Sequence, residues 1–140
     1  MPFSFDESTV AAMLGSVGTA TLTVDASDTA IAVGSGDVPV LATPRMVALM
    51  EQAAREALTG YLPVECTSVG AELDVRHVRP SAVGAQVVAE AVITAVEGAL
   101  VHFSVVARDR RIADQERSLI GTGVHVRAVV QRDAFMRRLG

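Results

Sequence analysis

The sequence has no tryptophan, one tyrosine, four phenylalanines and a single cysteine among its 140 residues. One cysteine, Cys66, excludes an intrachain disulfide, so no covalent staple is available and a reducing, cytoplasmic setting is expected. Cys66 opens a β-rich run and reads as a packing residue rather than a nucleophile. With so few rings, the core must come from Val, Ala, Leu and Ile, the many small aliphatic contacts of a sheet packed on a helix. No stretch reaches the roughly 18 consecutive apolar residues that a membrane span needs. Residues 1–7 lack the basic start and apolar stretch of a secretory signal. A basic stripe is missing too. The net charge is −4, and the one arginine cluster (Arg108, Arg110 and Arg111 around Asp109) is too short to track a phosphate backbone. Neither a membrane nor a nucleic acid is expected as a partner.

What remains is a chain of the size of one domain, residues 1–140, with half of its residues hydrophobic. The mean hydropathy of +0.39 is high for a lone subunit, and an apolar subunit interface, hence an oligomer, is expected. Residues 19–24 alternate and are rich in β-formers, so they read as a strand. Residues 31–33 suggest a short edge strand, followed by a Gly-Ser-Gly-Asp loop. The one convincing long helix spans residues 44–62. Thr43 is suited to cap it and Pro44 to begin it. Met46, Val47, Leu49, Met50, Ala53, Ala54, Ala57 and Leu58 project on one arc, with Arg45, Gln52, Arg55 and Glu56 opposite. From Cys66 onward the period changes to two, predicting strands at 67–78, 83–96, 100–108 and 118–130, and a last helical turn at 133–139. The short Glu97-Gly98 connection predicts a tight antiparallel hairpin. An antiparallel sheet after one long helix must curl around it. That is an α+β arrangement, the hot-dog fold, whose exposed sheet edges are expected to dimerise.

Three polar residues do not fit a purely structural pattern. His77 shares a strand face with Ala71, Leu73 and Val75, away from Glu72, Asp74 and Arg76. It reads either as a core histidine bonded to a carbonyl or as a base or oxyanion donor in a dry pocket. Glu51 falls at the margin of the apolar arc, where it either pairs with Arg55 or acts as a half-buried base or nucleophile. Thr43 is explained by capping alone, yet a helix start also offers a hydroxyl and backbone N–H groups to an oxyanion. Together they supply what acyl transfer requires: a base or nucleophile, an orienting imidazole and donors for the developing oxyanion.

These residues lie in stretches that resemble a known family. Residues 42–51 (ATPRMVALME), Ser68-Val69-Gly70, Val75-Arg76-His77 and residues 120–129 (IGTGVHVRAV) are similar to the fluoroacetyl-CoA thioesterase-like branch of the hot-dog superfamily. The resemblance implies a homodimeric acyl-CoA hydrolase that uses no metal or redox cofactor, coenzyme A entering as part of the substrate. It implies catalytic roles for Thr43, Glu51 and His77, and an oxyanion or substrate-binding role for the Gly70 N–H. Arg79, Arg108 and Arg127 are candidates for the coenzyme A phosphates, joined by Arg110 and Arg111, and His125 is expected to face outward. The branch carries aromatic residues before the catalytic helix, but residues 33–40 (VGSGDVPV) contain none, which puts selectivity for fluoroacetyl groups in doubt. A non-catalytic acyl-CoA sensor of the same fold and a hot-dog enoyl-CoA hydratase are the rival readings.

Overall fold

A computed structural model describes residues 3–140. Helix α1 (Glu7–Met13) starts where the Asp6 carboxylate accepts from the Thr9 N–H at 2.8 Å. Strand β1 (Val17–Thr23) follows, then a 3-10 turn (Ala26–Asp28) and the one-turn helix α2 (Ala30–Val33). Helix α3 (Thr43–Ala57) leads into four long strands: β2 (Cys66–His77), β3 (Gln86–Glu97), β4 (Leu100–Asp109) and β5 (Leu119–Gln131). The short helix α4 (Gln115–Ser118) precedes β5, and α5 (Arg132–Arg137) ends the chain.

The strands form one antiparallel sheet in the order β1-β3-β4-β5-β2, curled around α3. The alternating burial of β3 and β4 sends Val87, Ala89, Ala91, Ile93, Val101, Phe103, Val105 and Ala107 inward. They meet Met46, Leu49, Met50, Ala53, Ala54 and Ala57 of the helix, which are all buried. Gly18 sets how closely α3 lies on β1: a Cβ there would overlap the helix backbone at Ala53 and Ala57. β3 and β4 are joined by Gly98-Ala99, with Gly98 at φ +60°, as the hairpin expectation required. β2 pairs with β5 on one side only, so its other edge is unpaired within the described residues.

Several local expectations need correction. Residues 31–33 are helical rather than extended, because Thr29 caps that turn and Gly34, at φ +88°, closes it. α1 is an addition to the expected elements, since seven residues carry too short a period to stand out in the sequence. α3 ends at Ala57 instead of residue 62. Its N-cap is Ala42, without a side-chain cap, while Thr43 lies one position inside and turns its hydroxyl elsewhere. No helix among the described residues is long and apolar enough to cross a membrane.

Candidate active site

Thr43 stands in the first turn of α3 and His77 ends β2, and the fold brings them into contact. Thr43 Oγ1 and His77 Nδ1 are 2.7 Å apart. The other ring nitrogen, Nε2, is buried and has no partner among the described residues. A buried polar atom without a partner is uncommon in a folded protein and marks a place where a ligand can supply one. Burial pushes the His77 imidazole below its ordinary pKa, so the ring favours its neutral form. Both residues line a cavity of about 360 Å³ whose walls include Ala30, Ser35, Gly36, Val38, Val40 and Leu41. Small residues from α2 and the following loop thus surround the imidazole, with no aromatic ring among them.

Glu51 belongs to a different setting. It lies eight residues beyond Thr43, about 12 Å along the helix axis, and it does not touch Thr43 or His77. Its carboxylate leans over β2 at Gly70, where a Cβ would overlap Oε2. Arg127 Nη1 donates to Glu51 Oε2 at 3.1 Å, and His125 Nε2 lies 3.9 Å from the same oxygen. The Glu51 side chain keeps 34 % of its surface exposed, whereas that of Arg127 keeps 5 %. The i, i+4 pairing with Arg55 is therefore not the contact Glu51 makes.

The arginines expected to hold phosphates are largely occupied. Arg79 borders the His77 cavity, but its Nη1 donates to the carbonyls of Glu116 (2.7 Å) and Leu119 (3.2 Å). Arg108 Nη1 donates to the Gln115 carbonyl at 2.6 Å and to Ser118 Oγ at 3.2 Å, on the far side of the sheet from α3. Arg110 bonds Gln86 and Arg111 pairs with Asp109, whose carboxyl the guanidinium holds below its ordinary range. Arg127 is buried with its guanidinium engaged on three sides, which is not the posture of a surface phosphate ligand.

His125 is buried too, against the outward placement expected from the alternation. It stacks on Phe103 with ring centroids 5.9 Å apart, and its Nδ1 lies 2.8 Å from the Glu72 carbonyl. Gly121 and Gly123 on the same strand face carry the signal for this. The Met46 side chain of α3 occupies the space Gly121 leaves, which makes the face an inner one, and the β2 backbone at Asp74 and Val75 closes on Gly123.

Comparison with known proteins identifies the family and the fold. The family described as fluoroacetyl-CoA-specific thioesterase (FlK) matches residues 24–133. The fluoroacetyl-CoA thioesterase FlK itself superposes with a TM-score of 0.80 at 29% identity, over 90% of this chain and 93% of that one. An FlK mutant in complex with fluoroacetate and CoA gives 0.77 at 30% identity, over 87% and 98%. A thioesterase-superfamily protein from Thermus thermophilus gives 0.78 at 25% identity, over 90% and 91%. No match was found among curated proteins. With the family matched over most of its length and the fold matched throughout, the chain belongs to the fluoroacetyl-CoA thioesterase family and is a thioesterase of the hot-dog fold.

Proposed function

We propose that the protein hydrolyses acyl-CoA thioesters as a homodimer whose site joins Thr43 and His77 of one subunit to Glu51 and Gly70 of the partner subunit. The observation that carries this reading is the Thr43–His77 pair at 2.7 Å, with the buried, unpartnered Nε2 at a cavity. The missing carboxylate, Glu51 of the partner's α3, comes across the free edge of β2. Long unpaired edges invite pairing with a second chain, and this one also exposes Leu73 and Val78. An antiparallel β2–β2 pair with its two-fold axis at Asp74 sets His77 opposite the bulge that begins at the partner's Gly70. The partner's Glu51, which lies over its own Gly70, then reaches the Thr43–His77 end.

In this arrangement the thioester carbonyl sits between His77 and the N–H of the partner's Gly70, with the start of α3 favouring the developing oxyanion. The carboxylate of the partner's Glu51 adds to the carbonyl carbon, or removes a proton from a water that does so. In either route the C–S bond breaks and coenzyme A leaves as its thiolate and takes up a proton; direct attack leaves the acyl group on Glu51 as an anhydride that a water then cleaves, whereas the water route releases the carboxylic acid at once. The chemistry calls on carboxylate, imidazole and hydroxyl alone, without a metal or redox group. Related structures hold acetyl-CoA, or fluoroacetate with CoA. Here the ring-free walls of the cavity favour a wider range of acyl groups than a fluoroacetyl-selective pocket. Arg79, at the cavity rim, is the best placed of the arginines toward coenzyme A. Cys66 is a free, buried thiol, which accords with a reducing compartment such as the cytoplasm.

Thiol release from short, branched, aromatic and halogenated acyl-CoAs tests the proposal. The wild type is expected to turn over at least one class, and Glu51→Gln and His77→Ala to lose about 100-fold or more in kcat/KM. Binding of acyl-CoA without thiol release would make the protein a sensor instead, and unchanged rates in both variants would remove the assignment.

A further inference from the structure

We infer that Arg127 and His125 are positioning residues for Glu51: a buried guanidinium, oriented by a neutral imidazole and by Ser68, grips Oε2 and leaves Oε1 for the acyl chemistry. The inference rests on the thioesterase reading above for the role of Glu51, and on contacts independent of it for the clamp.

Arg127 is only 4% exposed and its donors are distributed with little slack. Nε donates to Ser68 Oγ at 2.8 Å and Nη2 to the Ser68 carbonyl at 3.1 Å. Nη1 faces Glu51 Oε2 at 3.1 Å and His125 Nε2 at 3.2 Å. A guanidinium only donates, so His125 Nε2 must accept, and the ring proton must sit on Nδ1. The second contact of His125 requires the same tautomer, because the Glu72 carbonyl at 2.8 Å can only accept from Nδ1–H. Burial pushes the His125 imidazole below its ordinary pKa, as does the Arg127 charge, partly offset by its bond to the Glu72 carbonyl and by Glu51. Phe103 stacked beneath the ring keeps it in plane. The bulge between Gly70 and Glu72 falls at this point of β2, beside the glycine over which the carboxylate lies.

The groups charged or titratable around Glu51 are Arg127 and His125 from β5 and Arg55 on its own helix. Strand β2 contributes only Ser68, Gly70 and the Glu72 carbonyl. A carboxylate on a flexible stem is thereby reduced to one placement with one free oxygen. That is what a nucleophile or base needs, since an error of about 1 Å in such a group can cost about 100-fold in rate.

The test combines a spectroscopic and a kinetic arm. Side-chain ¹⁵N NMR of the wild type at pH 7, assigned by loss of the signal in His125→Gln, is expected to show neutral His125 protonated at Nδ1. An Nε2–H tautomer or an imidazolium overturns the clamp whether or not the protein turns over any substrate. In the kinetic arm, Arg127→Met is expected to lower kcat about 100-fold while KM for acyl-CoA stays within about three-fold. Unchanged kcat with a large rise in KM would make Arg127 a coenzyme A ligand and overturn the inference. His125→Gln, which can still donate and accept, is expected to retain more kcat than His125→Leu at equal fold content by circular dichroism; equal losses contradict the orienting role. Arg127→Lys, with the charge but not the fork, serves if Arg127→Met does not fold and is expected to be intermediate between its loss and the wild type; wild-type kcat in Arg127→Lys contradicts the clamp. Wild-type protein with the Nδ1–H tautomer but no thiol release would instead refute the thioesterase reading and leave the clamp standing.

Discussion

Helix α3 carries Thr43 and Glu51, and the surroundings of the two could hardly differ more. Thr43 and His77 bond to each other at the wall of an open cavity, and one imidazole nitrogen is left without a partner. Glu51, two turns further on, is met by a buried arginine whose other donors are taken by Ser68 and His125. At the first end, polar capacity is held in reserve for something that enters. At the second, nearly all of it is spent inside the protein to fix one carboxylate. The difference separates recognition from positioning, and it assigns stability mainly to one end and substrate sensitivity mainly to the other.

The comparison can be broken by measuring stability at each end. The largest effect is expected from Glu51→Ala, which leaves the buried Arg127 charge unpaired: about 3 kcal/mol by denaturant unfolding, the low end for breaking a buried pair because Glu51 is a third exposed. A loss below about 1 kcal/mol would place Glu51 among ordinary surface pairs. A smaller effect is expected from pH. His77 and His125 both have folded-state pKa values below the ordinary value of about 6.5, so the native state binds fewer protons than the unfolded chain. The stability they contribute is complete above that value and is lost as pH falls from it through their folded-state values. Unfolding at pH 7 and pH 5 should show this loss, and His125→Gln should reduce it. The smallest effect is expected from Thr43→Val, which removes one partly exposed hydrogen bond: under about 1 kcal/mol of stability, with thiol release nevertheless reduced ten-fold or more. A Thr43→Val variant as unstable as Glu51→Ala would erase the distinction between the two ends.

How much of this was legible beforehand depended on the range of the interaction. α3, β3 and β4 declare themselves through periods of 3.6 and two, because one face of each is buried for most of its length, whereas β2 is largely exposed and shows through its β-forming composition. Thr43, Glu51 and His77 stood out as polar residues at positions where the pattern expected something else. Their partners did not. Thr43 looked like a cap, and only the path of β2 shows its hydroxyl meeting His77, 34 residues later. Glu51 suggested Arg55 four residues on, whereas its partner is 76 residues away. No local period encodes a contact across a sheet. His125 was assigned to the wrong side because alternation counts polar residues as outward, and Gly121 and Gly123, which mark that face as inner, carry no hydrophobic signal of their own. Residues 31–33 misled for a simpler reason: three apolar residues have no period, and the Thr29 cap and Gly34 decided the outcome.

The central claim is that Thr43 and His77 of one subunit work with Glu51 of the other, and subunit complementation addresses it directly. Glu51→Gln and His77→Ala proteins, each inactive alone, are co-assembled and assayed for thiol release. If the site is shared, every mixed dimer carries one doubly altered site and one intact site, and a random one-to-one mixture recovers about a quarter of wild-type activity. If each chain supplies its whole site, every site in the mixture keeps one defect. Activity no higher than the average of the two parents would contradict the account.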